Sequence, residues 1–330
     1  MMRKISIFLM LLALASMLWA CGSSSSDEGS DAVAAAEGEG EGEGEGEGDP
    51  FPGCPDIAQS TCPGISQISG GMSHSCALDG NGKIKCWGFL PWLGAGFDRW
   101  FIGDSTNESG DNLDFMNLPT DIHFSTIAAA GYTTCGLSSA GQVLCWGEGE
   151  NSVFGDDMTF HEFPGSATVT AIDMGYRYNN DRGHICVVLE GGKIQCWGDN
   201  SDGQLGLAGS SSNEPGELLV DVGEGLIATA LSLADSASCA LFDNGKVKCW
   251  GNNAYGKLGL GDTSNRGLNP EEMGDNLAYV DLGTGLTASK ISAGPYHTCA
   301  LLNNGKIKCW GYGDNLGIES TENRGDEPDE

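Results

Sequence analysis

The chain predicts an all-β fold built from one repeated hairpin. Two cysteines stand ten positions apart five times, and each second cysteine precedes Trp-Gly: Cys76/Cys86, Cys135/Cys145, Cys186/Cys196, Cys239/Cys249 and Cys299/Cys309. The enclosed segments, such as CALDGNGKIKCWG and CALFDNGKVKCWG, alternate apolar and polar residues around a Gly/Asn/Asp turn. There are 52 glycines without collagen periodicity, which suits many tight turns between short strands. A recurring period of this kind sets the architecture before any single residue does.

Each hairpin follows from its letters. With a turn centred on Gly80-Asn81, Leu78 faces Ile84 and Cys76 faces Cys86. Directly opposed residues bring their Cβ atoms within reach of a disulfide. A bridge closing so small a loop contributes roughly 2–3 kcal/mol on the chain-entropy account. Alternation places Ile84 and Cys86 on one face and Lys83, Lys85 and Trp87 on the other. The lysine stems are expected to lie over the neighbouring Trp with their charges in solvent. Zinc ligation would need closer cysteine pairs, and thioredoxin-type redox chemistry would need Cys-x2-Cys. Five structural disulfides in an oxidising compartment are therefore expected.

The N-terminus points to that compartment. Arg3 and Lys4 precede an apolar run, Ile5 to Met17, of the length of a signal h-region. Leu18-Trp19-Ala20-Cys21 then resembles a bacterial lipoprotein box, which implies cleavage before Cys21 and its lipidation. Of 13 cysteines, removing Cys21 leaves 12: ten in hairpins, plus Cys54 and Cys62, which can pair with each other. The expected domains are a signal peptide over 1–20, the lipidated Cys and a disordered acidic linker over 21–50, and one folded domain over 51–330. The linker, with Glu-Gly repeated from Glu37 to Gly48, has too little apolar surface to fold and repels itself into an extended spacer.

The formal net charge is −30. A surface this acidic disfavours nucleic acid and anionic headgroups as partners. Before each hairpin stands another short strand: Ile68-Ser-Gly-Gly, Ile127-Ala-Ala-Ala-Gly, Ile172-Asp-Met-Gly, Leu231-Ser-Leu, Ile291-Ser-Ala-Gly. After Trp197, Trp250 and Trp310 come the turn-rich segments GDNSDGQLGL, GNNAYGKLGLGD and GYGDNLGI. Taken together, Ile-Ser-Ala-Gly-x-x-His-Thr-Cys-Ala-Leu-x-x-Asn-Gly-Lys-Ile-x-Cys-Trp-Gly resembles the RCC1 (regulator of chromosome condensation) repeat over about residues 65–330. The match is closest at 291–317 and 241–261 and weakest at 131–155. The resemblance implies an RCC1-like β-propeller. The best-known members have seven blades, whereas five signatures here imply about five, with the ring closed by the segment near Ile57. The family's eukaryotic founder is a nucleotide-exchange factor that binds chromatin, a role that a signal peptide, disulfides and strong acidity argue against. Secreted bacterial members include an inhibitor of β-lactamase, so a propeller face can grip another protein.

No Gly-x-Ser-x-Gly, His-Glu-x-x-His or P-loop is present, and the sequence gives no reason to expect a cofactor. His74, His184 and His297 each stand two residues before a first cysteine. The favoured reading is a hydrogen bond to a neighbouring turn; convergence on a metal at the ring axis is the weaker alternative. Arg324-Gly325-Asp326 matches an adhesion tripeptide by coincidence. The segment after Trp87 carries Trp92, Phe97, Arg99, Trp100 and Phe101, a density that suits an interface hot spot or sugar stacking, or else the cover of a blade edge. The function expected is a non-enzymatic binding module on the cell envelope. Its lipid anchor would sit in the outer membrane rather than the inner, and its partner would be a protein or an envelope glycan. The rival classes are a carbohydrate- or peptidoglycan-active enzyme and a structural spacer. A Trp-lined cleft with paired carboxylates would favour the enzyme; an open face with exposed aromatics would favour the binder.

Overall fold

A computed structural model describes residues 64–89, 101–103, 112–119, 121–147, 160–161, 163, 166–177, 182–209 and 218–327. Among the described residues five antiparallel sheets follow one another along the chain as the blades of a propeller. Blade 1 is β1 (Ile65–Gly70), β2 (His74–Asp79), β3 (Ile84–Phe89) and β4 (Phe101–Ile102). Blade 2 is β5 (Phe124–Ala130), β6 (Thr133–Ser138), β7 (Val143–Gly147) and β8 (Phe160–His161). Blade 3 is β9 (Val169–Arg177), β10 (Arg182–Leu189) and β11 (Ile194–Gly198). Blade 4 is β12 (Ala228–Leu233), β13 (Ala237–Phe242) and β14 (Val247–Gly251). Blade 5 is β15 (Ala288–Ala293), β16 (His297–Leu302) and β17 (Ile307–Gly311). In blades 3, 4 and 5 the outer edge is finished by single bridges, Ile194 to Val220, Gly251 to Arg266 and Gly311 to Arg324.

The hairpin register is the one the spacing predicts. Cys76 opposes Cys86 and Leu78 opposes Ile84, and the same pairing recurs in every blade. Each cysteine pair is disulfide-bonded within its own hairpin: Cys76–Cys86, Cys135–Cys145, Cys186–Cys196, Cys239–Cys249 and Cys299–Cys309. Around Cys145 and Cys196 the two faces expected from alternation are kept, and both are covered. Both lie in strands, β7 and β11, that are buried on both faces, with the adjacent Leu144 and Gln195 enclosed as well. The reason is that a blade stands on either side. Cys145 packs with Val169 and Ile172 of blade 3, and Cys196 with Ala228 and Leu233 of blade 4.

The first strand of each blade carries a register shift, as between Ile65 and Gln67 or Ala228 and Ala230. Asn323-Arg324-Gly325 repeats Asn265-Arg266-Gly267, and both arginines sit at an outer-edge bridge. The Arg-Gly-Asp letters are thus blade-edge text.

The core lies between blades, because each sheet has two apolar faces. In blade 4, Val247 and Cys249 join Ala288 and Leu302 of blade 5, while Trp250 joins Ile194 and Leu205 of blade 3. A turn glycine of each blade accepts a hydrogen bond from the first strand of the next: Phe124 N to Gly82 O, Val169 N to Gly141 O, Ala228 N to Gly192 O and Ala288 N to Gly245 O, at 2.8–3.1 Å. The lysines depart from expectation. Lys248 is buried, not stretched over Trp: its Nζ donates to Val222 O at 2.8 Å and Gly274 O at 2.9 Å, under the ring of Tyr279. Those carbonyls face inward, and an ammonium supplies the donors that a buried acceptor requires. Burial pushes the Lys248 pKa down, while Asp275 and Asp221 push it back up.

Candidate tyrosine-bearing rim

Three tyrosines meet where the loop after β14 crosses the end of blade 5. Asn253 builds that loop from the inside. Its Oδ1 accepts from Leu258 N at 2.9 Å, and its Nδ2 donates to Asp262 O at 2.7 Å. Asn200 does the same for Leu205 N in blade 3, so Asn-x-x-Gly-x-Leu-Gly is a side-chain-stapled loop. In this loop Tyr255 lies in the left-handed region at φ 64°, a conformation that costs a non-glycine residue on the order of 1 kcal/mol or more. Strain of this kind persists only where the surroundings over-determine it.

Tyr296 lies in the turn between β15 and β16, and Tyr312 follows the Trp-Gly of β17. They are neighbours because His297 opposes Gly311, and Tyr312 N donates to Tyr296 O at 2.9 Å. Ring centroids are 4.8 Å apart for Tyr255–Tyr312, 6.3 Å for Tyr255–Tyr296 and 6.4 Å for Tyr296–Tyr312. Tyr255 is 42% exposed and Tyr296 51%. The Tyr312 hydroxyl donates to Asp314 Oδ2 at 2.8 Å, and that carboxylate raises the phenol's pKa above its ordinary value. Two residues after Tyr255, buried Lys257 ties the two blades together. Its Nζ donates to Asp235 Oδ1 and Pro295 O at 3.1 Å. At the equivalent turn of blade 2, Tyr132 meets Tyr176 edge-on at 6.2 Å, and Arg177 pairs with Asp202 at 2.6 Å. This rim therefore offers aromatic faces with polar tips and carboxylates beside them, the composition of recognition surfaces.

The disulfides take no part in this surface. Cys145, 1% exposed, and Cys196, 2% exposed, sit in the core between blades, as do their partners Cys135 and Cys186. Their role is to staple hairpins, with no sulfur of these two pairs offered to a ligand. The histidines serve the junctions between blades. His74 Nε2 hydrogen-bonds Thr134 Oγ1 at 2.7 Å, and His184 Nε2 hydrogen-bonds Ser238 Oγ at 2.8 Å, each reaching into the following blade. Burial lowers the pKa of both to about 4, so they are neutral at pH 7. His297 stands at the same position of blade 5. Among the described residues no three His, Cys, Asp or Glu side chains group as metal ligands.

The repeat tryptophans Trp146, Trp197, Trp250 and Trp310 are buried, and the indoles of Trp250 and Trp310 donate to Gln204 O and Lys257 O of the preceding loop at 3.0 Å. Trp92, Phe97, Arg99 and Trp100 lie outside the described residues, as do Cys21, Cys54, Cys62 and Ile57; Phe101 is placed in β4, paired with Phe89. The tyrosine cluster is absent from the sequence reading because its rings come from two repeats. A signal was present: Tyr occurs where the sister loop has Asp202, and twice more beside strand ends of the next repeat.

The model for the regulator of chromosome condensation (RCC1) repeat matches residues 65–89, 182–204, 230–257 and 288–315, and a second RCC1-repeat model matches 244–301. The chain carries RCC1 repeats. Blade 2 falls outside the matched segments yet keeps the register of the others. Among curated proteins the RCC1-repeat chain is 29% identical over 261 residues to human probable E3 ubiquitin-protein ligase HERC6, covering 76% of this chain and 23% of the relative. It is 28% identical over 204 residues to the ultraviolet-B receptor UVR8 of Arabidopsis thaliana, covering 60% of this chain and 44% of the receptor. The chain thus spans a quarter or less of the HERC ligases it matches and under half of the receptor. The fold resembles that of Prp20p from Saccharomyces cerevisiae, with TM-score 0.59, 17% identity, and coverage of 79% of this chain and 62% of Prp20p. It also resembles human WBSCR16, with TM-score 0.53, 18% identity, and coverage of 70% and 56%. An RCC1-like propeller is a general platform for binding.

Proposed function

We propose that this chain is a non-enzymatic recognition module of the cell envelope, held by a lipid on Cys21 and spaced from the membrane by its Glu-Gly linker. Its tyrosine-bearing rim takes a protein or an envelope glycan. One observation carries the reading: Tyr255, Tyr296 and Tyr312 are clustered, the first two exposed and the third half-buried, with Tyr255 in a costly backbone conformation, whereas Trp146, Trp197, Trp250 and Trp310 are buried structural residues. Exposed aromatics at a blade end favour capture, while a catalytic reading would call for tryptophans lining a cleft with paired carboxylates. Among similar folds, Prp20p has binding properties to Gsp1p and histones, which supports a protein partner as the first class to test.

The test is affinity capture from envelope extracts of the source cells with the oxidised chain, followed by mass spectrometry and sugar analysis. Tyr255→Ala/Tyr296→Ala is expected to lose the captured partner by about ten-fold or more with an unchanged unfolding midpoint. Undiminished capture by that variant would move the site elsewhere. Hydrolysis of an envelope glycan by the wild-type chain would replace binding with catalysis. Radiolabelled fatty acid incorporated into the wild type and lost in Cys21→Ser tests the anchor.

A further inference from the structure

The four junctions between consecutive blades are built alike, and the two ends of the series hold unmatched halves of a fifth. Consider first the face that each blade turns toward the next. The apolar residue after the hairpin turn is Ile84, Val143, Ile194, Val247 and Ile307 in blades 1 to 5. The first four are 0–2% exposed and Ile307 is 69% exposed. A Cβ added at Gly82 would stand 2.8 Å from Phe124 N, and at Gly245 2.6 Å from Thr287 Cβ, both in the following blade. At the equivalent Gly305 nothing lies within 4 Å. Gly206 and Gly259 press on Trp250 and Trp310 of the next blade, whereas Gly317 has open space.

The complementary half is blade 1. The first-strand positions filled by Phe124 and Ile127 in blade 2, or Val169 and Ile172 in blade 3, are buried; in blade 1 they are Ile65 and Ile68, 44% and 52% exposed. Trp87 is only half-buried, unlike its four counterparts. The polar parts match as well. Ser69 Oγ accepts from Ala129 N at 2.9 Å and Ser232 Oγ accepts from Ala293 N at 2.8 Å. By register, the exposed Ser292 of blade 5 would accept from Gly70 N of blade 1. His297 would meet Ser75 as His74 meets Thr134, and Asn315 O would take the Trp87 indole as Lys257 O takes that of Trp310. Charge permits the contact: residues 288–311 contain three lysines and no carboxylate, and residues 64–89 contain one, in a chain of 46 acids.

We infer that the outer face of blade 5 docks onto blade 1 of a second copy of this chain, repeating the inter-blade junction between molecules. The contact is head-to-tail: each copy gives one face and receives on the other, so the association does not stop by symmetry at two unless the pair closes a ring. This inference stands apart from the proposed envelope function, since it uses neither the tyrosines nor the anchor.

The experiment is sedimentation of the full exported chain, oxidised and carrying Cys21→Ser so that no lipid contributes. Wild-type mass is expected to rise with concentration. Ile307→Asp and Ile68→Asp alter opposite exposed faces, so each is expected to fold and remain monomeric alone. Mixed in equal amounts, they still retain one intact blade 5 face and one intact blade 1 face, and are expected to form a dimer and nothing larger. A wild type that stays monomeric at every concentration overturns the inference. If both variants then also melt earlier, blade 5 closes on blade 1 within one chain. A mixture that stays monomeric overturns it too. Unchanged circular dichroism of the single variants separates loss of contact from loss of fold.

Discussion

Blades 4 and 5 are written in nearly the same letters, CALFDNGKVKCWG and CALLNNGKIKCWG, with the same register and the same disulfide. Their tryptophans are equally buried, because each has a blade before it. Their other faces differ: Val247 is enclosed by Ala288 and Leu302 of blade 5, and Ile307 meets solvent. Strand, turn and cross-strand bond come from local letters. Burial of the second face comes from a neighbour, and the same hairpin is core or surface according to whether that neighbour is present.

The largest way to sharpen this contrast is pH, which acts through filled junctions. His74 and His184, with folded pKa near 4 against 6.5 unfolded, remain unprotonated in the folded state while the unfolded chain takes up protons. Their stabilisation is whole above pH 6.5 and is lost as pH falls toward 4, roughly 2 kcal/mol per histidine by pH 5. Asp173, raised to about 6 by burial against the hydrogen bond from Leu233 N, acts in the opposite direction. Its contribution grows as pH falls from 6 toward 3.8 and returns about 1 kcal/mol at pH 5. Urea midpoints from about pH 7.5 to 5 should therefore fall by an equivalent of ~3 kcal/mol. His184→Gln should remove about 2 kcal/mol of that fall, and a slope unmoved by it would refute the assignment.

Next in size is a paired truncation. Val247→Ala leaves a cavity between two blades and should cost about 2 kcal/mol, while Ile307→Ala should cost less than about 0.5 kcal/mol in the dissociated chain. Equal costs by denaturant titration would mean that blade 5 is covered in solution. The smallest effect is chemical access. Cys299 and Cys309 are half-buried, whereas the cysteines of the four other pairs, Cys145 and Cys196 among them, are almost wholly enclosed. Under mild reductant with an alkylating trap, peptides containing Cys299 and Cys309 should be labelled first. Simultaneous labelling of all pairs would point to global opening instead.

How much of this was legible in the letters follows the range of the interactions. Cys76 opposite Cys86 and Leu78 opposite Ile84 could be counted off from a two-residue period about a turn, and the five-fold signature carried the repeated blade. The pairing of Cys145 and Cys196 was equally countable, but their enclosure on both faces was not, since it depends on the blade that follows. Lys248 could not be placed, because its acceptors at Val222 and Gly274 are each 26 residues away in chain segments with no regular pattern. The tyrosine rim was hidden for the same reason: Tyr255 belongs to a loop of one repeat, and Tyr296 and Tyr312 to strand ends of the next. The histidines fell between these cases. Their position in the repeat was plain, but the hydroxyl each one reaches lies in the following blade, 60 residues on for His74 and 54 for His184.

Every disulfide described here joins cysteines ten residues apart within one hairpin. In an oxidising compartment each can close as soon as its own turn has formed, without waiting for a partner later in the chain. The same locality governs inheritance. A whole blade can be duplicated or deleted without orphaning a thiol, so the number of blades is free to drift while oxidative maturation stays the same.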